Sequence, residues 1–222
     1  MDIKKDMVRL INKLGQRYGN YDVFFHFVEL AALSLANLQE PVKSTFNKRE
    51  SQYKEIVKRY SKEEINVFAE LLAMLTNSLH AYPDDILGTL FHELNLQNLW
   101  KAQYFSPMNI CTMMAEMMMG NAKAVLEEKG HISICEPACG SGAMLIGAVR
   151  SLLRQDVEYQ TTVYMEATDI DIRCVYMTYV QLSLLDVAAR VIHGNTLTME
   201  TFSVWKTPML MMIQNKIKEQ AG

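Results

Sequence analysis

Four cysteines in 222 residues (Cys111, Cys135, Cys139, Cys174) are too few for a disulfide scaffold, and no Cys-x-x-Cys pair supplies half a zinc site. No uninterrupted apolar run approaches the roughly 20 residues of a membrane-spanning helix. The opening Met1-Asp2-Ile3-Lys4-Lys5-Asp6 has no apolar secretion-signal core behind its charges. Ten glycines and five prolines, without a period, exclude a collagen-like chain. Internal repeats and low-complexity segments are also absent. The expectation is a soluble intracellular protein of the reducing cytoplasm. Half of the residues are apolar or aromatic and 21% are charged, the composition of a folded chain long enough for one or two cores.

The net charge of −3 conceals an uneven distribution. Residues 1 to 62 carry twelve Lys or Arg against seven Asp or Glu, and the remainder ten against eighteen. A basic face can engage phosphates, although most such faces are only solvated helix surface. Helical periods fill the first hundred residues. Ile3, Met7, Leu10, Ile11 and Leu14 recur at three- and four-residue steps before Gly19. Residues 21 to 38 are apolar on most sides and predict a helix central to its bundle. A third helix over about 45 to 60 carries Lys48, Arg49, Lys54, Lys58 and Arg59. Ser61-Lys62-Glu63-Glu64 is a capping-box pattern opening a fourth that runs to about His80, and Pro83-Asp84-Asp85 starts a shorter one.

Ser106-Pro107 is a further helix start, with Ser106 as the cap and Pro107 in the first turn. That helix is expected to be interrupted at Gly120 and to stop near Gly130. Its Met-Met-Ala-Glu-Met-Met-Met run, residues 113 to 119, reads as gap-filling core packing rather than an adaptable binding surface. After Gly130 the period changes. Strands are predicted over 131–135, 161–168 and 189–193, separated by helices over 142–155 and 172–185. This alternation is the form of a parallel sheet with right-handed crossovers, which binds ligands at the carboxyl ends of its strands.

Each of those three strand ends carries a polar signal. Glu136-Pro137-Ala138-Cys139-Gly140-Ser141-Gly142 follows the first strand, where the glycines permit a sharp turn and close backbone approach to a ligand. An acid there suits a ligand bearing an amine. Thirty-three residues on, Asp169 is placed to accept hydrogen bonds from ribose hydroxyls, with Asp171 available to cap the next helix. At the third strand end, Gly194-Asn195 is either an ordinary turn or a side-chain amide at the edge of an adenine ring.

Taken together, Gln103-Tyr104-Phe105-Ser106-Pro107, Glu136 through Ala143, Asp169 and Gly194-Asn195-Thr196-Leu197 resemble the adenine-N6 DNA methyltransferase family. The likeness is strongest to modification subunits of type I restriction systems and methylase-like proteins of mobile elements. It implies an α/β fold: a helical N-terminal domain, residues 1–100, followed by a Rossmann-like S-adenosylmethionine-dependent methyltransferase core, residues 101–222. It also implies S-adenosylmethionine as cofactor and DNA as partner. By position, Tyr104, Phe105 and Ser106 cover the amino-acid end of the cofactor, and Glu136, Pro137, Ala138, Cys139, Gly140, Ser141 and Gly142 cradle it. Asp169 holds the ribose, Ile170 packs on the adenine and Asn195 meets its edge. Ser106 stands for the usual Thr and Glu136 for the usual Asp, each keeping its functional group.

One element of the family pattern is absent. The target adenine is flipped from the duplex and held by an Asn-Pro-Pro-aromatic or Asp-Pro-Pro-aromatic tetrapeptide, and this sequence contains neither. The expected fourth strand, residues 209–213 leading to Asn215, lacks both prolines and the aromatic, so no residue is assigned to catalysis. The alternative is a non-catalytic regulatory or assembly subunit with a degenerate methylase fold. In the family order the first strand is central, yet only three or four strands are legible here. Its open side is therefore expected to be covered by the C-terminal segment, the helical domain, a second copy or a partner chain.

Overall fold

The computed structural model describes residues 3–96 and 105–220, the last five by backbone alone. The first part is helical: α1 (Ile3–Tyr18), α2 (Asn20–Asn37), α3 (Lys43–Val57), α4 (Lys62–Ala81) and α5 (Ile86–Glu93). The boundaries follow local chemistry. Gly19, at φ 83, separates α1 from α2. The predicted capping box forms: the Glu64 N–H donates to Ser61 Oγ at 3.3 Å and the Ser61 N–H to Glu64 Oε2 at 2.8 Å, satisfying two free donors at the start of α4. The apolar α2 buries Val23, Phe24, Phe27, Val28, Ala31, Ala32 and Leu33, and is central as its sequence predicts.

The second part comprises α6 (Met108–Met119), α7 (Ala122–Lys129), β1 (Ile132–Glu136), α8 (Ala143–Arg154), α9 (Tyr159–Thr162), β2 (Val163–Asp169), α10 (Ile172–Leu184), β3 (Ala188–Asn195), β4 (Glu200–Lys206) and α11 (Pro208–Gln220). The sheet order is β1-β2-β3-β4. β1 pairs with β2 and β2 with β3 in parallel, and β3 pairs with β4 antiparallel. α8 and α10 are the crossovers, so the core is the expected Rossmann-like α/β arrangement. α2 packs on α10, and the helices and the sheet contribute to one continuous apolar core.

Four expectations need correction. Residues 209–213 are helical, in α11, and the fourth strand lies earlier, over β4. Ser106 does not cap α6: Pro107 is the N-cap, and no side-chain bond caps that helix. The methionine cluster meets the core only at Met119, which is partly buried against it. Met117 and Met118 are 77% and 80% exposed, and Met113 and Met114 are also exposed, because α6 faces α8 through Cys111, Thr112 and Ala115. The C-terminal segment does not cover β1 either; α11 packs on β3. Among the described residues no strand pairs with the outer edge of β1, where Ser133 and Cys135 are exposed.

Candidate functional site

The carboxyl ends of β1, β2 and β3 converge on a cavity of about 550 Å³. Its floor is the loop after β1. At Gly140 the chain takes φ +55, and a Cβ there would meet Phe105 Cδ1 at 3.0 Å. Glycine thus serves twice, admitting a left-handed backbone and leaving room for an aromatic wall. The loop is tied to β2 by two backbone donors: the Cys139 N–H donates to Thr168 O at 2.9 Å, and the Gly140 N–H to Asp169 Oδ2 at 2.9 Å. Thr178 of α10 donates to Gly140 O at 2.9 Å. Burial, helped by the negative Asp169, pushes the Cys139 thiol up to about 12 despite an opposing Thr178 hydrogen bond. The thiol is therefore neutral at physiological pH, so it presents no nucleophilic thiolate to a ligand in the cavity.

Asp169 is 7% exposed, and its other oxygen accepts from the Asp171 N–H at 2.9 Å. A carboxylate has about four acceptor positions, so two internal bonds leave capacity for a ligand. Asp171 takes the helix-capping duty, accepting from the Arg173 N–H at 2.9 Å. Arg173 also bonds Tyr21 of α2, anchoring this corner to the helical layer. At the end of β3, Asn195 Oδ1 accepts from the Leu197 N–H at 3.0 Å, which frees its NH2 group to act as a donor. Thr196 Oγ1 donates to Pro137 O at 2.6 Å and so links the first and third strand ends. Phe105 closes one wall: its N–H donates to His92 Nε2 at 3.1 Å and its ring lies 5.0 Å from that of Phe91.

Of the residues singled out in the sequence, Phe105, Ser106, Pro137, Ala138, Cys139, Gly140, Ser141, Asp169, Ile170 and Asn195 all line this cavity. Tyr104 lies outside the described residues. Glu136 and Gly142 are not in the wall. Glu136 accepts from the Ala138 N–H at 3.1 Å and shapes the turn. Gly142 is at φ +96, and a Cβ there would meet Thr178 Oγ1 at 3.2 Å, so it allows α8 to start close against α10. The cavity also includes Ala143, Met144, Gly194, Thr196 and Leu197. All but Met144 stand in the segments that carry the family resemblance, and Met144 adjoins the first of them.

The family model for N-6 DNA methylase matches residues 84–217, which contain every one of these strand ends. No curated protein matches the chain. Among solved structures, a protein described as a class I S-adenosylmethionine-dependent methyltransferase from Listeria monocytogenes matches with 17% identity and a TM-score of 0.44. The match covers 88% of this chain and 54% of that one, so the chain spans about half the length of that protein.

Proposed function

Because this chain belongs to the N-6 DNA methylase family, we propose that its cavity binds S-adenosylmethionine and that it serves N6-adenine methylation of DNA, in the cytoplasm, within a restriction-modification system or a mobile element. The observation that carries the reading is the convergence of Gly140, Asp169 and Asn195 on one cavity at the carboxyl ends of three adjacent strands. A volume of about 550 Å³ lies within the usual range for cofactor sites. Gly140 lines the cavity, and the side chain it forgoes leaves room for Phe105 in the cavity wall. S-adenosylmethionine supplies an electrophilic methyl group on a sulfonium. Of this chain's own groups, Asp169 accepts from the ribose hydroxyls, Ile170 gives the adenine an apolar face and the Asn195 amide donates to its edge.

This sequence holds no Asn-Pro-Pro-aromatic or Asp-Pro-Pro-aromatic group to orient a target adenine, and the outer edge of β1 takes a further strand from a second copy or a partner chain. Among the described residues no strand pairs with the outer edge of β1, and an open sheet edge is a ready template for pairing with another chain. DNA is engaged by the basic residues of the first 62. Lys54 and Lys58 make exposed pairs with Glu50 and Glu55, weak enough to exchange for phosphates. Arg49 is excluded from this role, since it is mostly buried, pairs with Glu40 at 2.7 Å and lies over the Trp205 ring.

Titration with S-adenosylhomocysteine tests the cofactor site: saturable heat is expected, and none at millimolar ligand overturns the reading. Methyl transfer from labelled cofactor to unmethylated duplex DNA tests whether the missing tetrapeptide leaves the chain inactive by itself. The chain alone is expected to incorporate no label, and incorporation would show that it carries its own catalytic groups.

A further inference from the structure

We propose that Asp85 is a positioning residue for the glycine loop, reaching from the start of α5 in the helical layer to hold Ser141 and so fix the cavity floor. The functional weight of this inference rests on the cavity being a cofactor site. Asp85 is 3% exposed. Its Oδ2 accepts from Ser141 Oγ at 2.6 Å, and its Oδ1 accepts from Gln181 Nε2 at 2.9 Å and from the Gly88 N–H at 2.9 Å. Gln181, fully buried in α10, also donates to Ser141 O at 2.8 Å and accepts from the Leu87 N–H at 3.1 Å. Ser141 is thereby gripped at both its hydroxyl and its carbonyl.

A helix cap alone does not account for this arrangement. Ser, Thr or Asn caps a helix as well as Asp does, and an exposed cap avoids the cost of burying a carboxylate. Here the carboxylate is buried among neutral hydrogen-bond partners, and burial raises its pKa against the opposing bonds from Ser141, Gln181 and Gly88. Gly88 points the same way. Glycine within a helix costs about 1 kcal/mol relative to Ala, yet a Cβ at Gly88 would lie 2.0 Å from Asp85 Oδ2 and 2.8 Å from Ser141 Oγ. α5 thus forgoes a side chain where the carboxylate passes to the loop. The neighbouring Asp84 binds Lys4 at 2.6 Å and Arg150 at 2.7 Å, holding the same segment against α1 and α8.

The test is hydrogen exchange by mass spectrometry on the full chain, with S-adenosylhomocysteine titrations in parallel. Asp85→Ala is expected to accelerate exchange of amides 139–147 at least tenfold, leave α1 and α2 unchanged and weaken ligand binding at least tenfold. Asp85→Asn, which keeps an acceptor for the Gly88 amide and can hydrogen-bond Ser141, is expected to restore most of the loop protection. Unchanged loop exchange in Asp85→Ala overturns the proposal, and so does equal acceleration across α1 and α2, which would mark Asp85 as a general stabiliser. Should Asp85→Ala fail to fold, Ser141→Ala decides: it removes the loop's side of the bond and leaves the cap on α5, so unchanged exchange of the loop overturns the proposal. If the unmodified chain binds no S-adenosylhomocysteine, the cofactor reading fails by itself, and the exchange data still decide whether Asp85 positions the loop.

Discussion

On the floor of the cavity, Asp169 is almost fully buried with each carboxylate oxygen holding a backbone amide, whereas on the rim Ile170 is 59% and Leu197 95% exposed. The floor is fixed by the chain's own bonds: β1 to β2 through Cys139 and Gly140, α10 to the loop through Thr178, and α5 to the loop through Asp85. The rim consists of the residues after β3, a four-residue turn with Met199 at φ +60, and side chains that project into solvent. A preorganised floor loses little freedom when a ligand arrives, while an open rim gains its contacts only with the ligand. Substitutions on the floor should therefore cost the most binding, and those on the rim should cost less.

The largest effect is expected at Gly140. Gly140→Leu puts a branched side chain into the Phe105 ring and onto a backbone at positive φ. Binding of S-adenosylhomocysteine should be undetectable at millimolar ligand by calorimetry, while the far-ultraviolet circular dichroism of the helices persists. Retained affinity would mean that the loop is only a turn. Next comes Asp169→Ala, which orphans the Gly140 and Asp171 amides and removes the proposed ribose acceptor. Hydrogen bonds to a charged group contribute about 1.5 to 3 kcal/mol, so about a hundredfold loss of affinity is expected. A loss under about threefold would place the ribose elsewhere.

The floor was also the legible part of the sequence. A glycine needed for its backbone, an acid at a strand end and a capping box are local devices, and they leave local marks. Gly140, Asp169 and the Ser61–Glu64 cap all act within a few residues of where the pattern put them. The β4 hairpin left little trace, because its turn places Met199 rather than a glycine at positive φ and its strand is mostly exposed. The run Met209-Leu-Met-Met-Ile213 suited a strand or a helix by periodicity alone; Pro208, the first residue of α11, suits a helix start, and the strand reading left it unused. Asp85 was readable only as a helix start. Its partners Ser141 and Gln181 lie 56 and 96 residues away, and only the fold brings them together. The exposed methionines of α6 likewise depend on which face α8 occupies, a tertiary fact that composition does not carry.

On the rim, Ile170→Ala removes an apolar face without disturbing a hydrogen bond of its own side chain. Truncating an exposed Ile that the adenine covers costs about 1 to 1.5 kcal/mol at 25 cal/mol per Å², so affinity should fall about tenfold. Unaltered affinity would show that the adenine does not lie on this side chain.

The smallest effect is expected at Asn195, where a turn role and a ligand role must be separated. Asn195→Ala confuses them, since it also releases the Leu197 amide held by Oδ1. Asn195→Asp keeps that acceptor and replaces the NH2 donor by a charged carboxylate oxygen that only accepts, so the turn after β3 should persist while the bond to the adenine edge is lost. A single solvent-accessible hydrogen bond contributes about 0.5 to 1.5 kcal/mol, which gives about a threefold weakening of S-adenosylhomocysteine in the Asp variant. Thermal stability should be unchanged by Asp and lowered by Ala. If Asp binds as tightly as the original residue while Ala weakens both properties, Asn195 is a turn residue alone, and the third strand end contributes to the cavity only through its backbone.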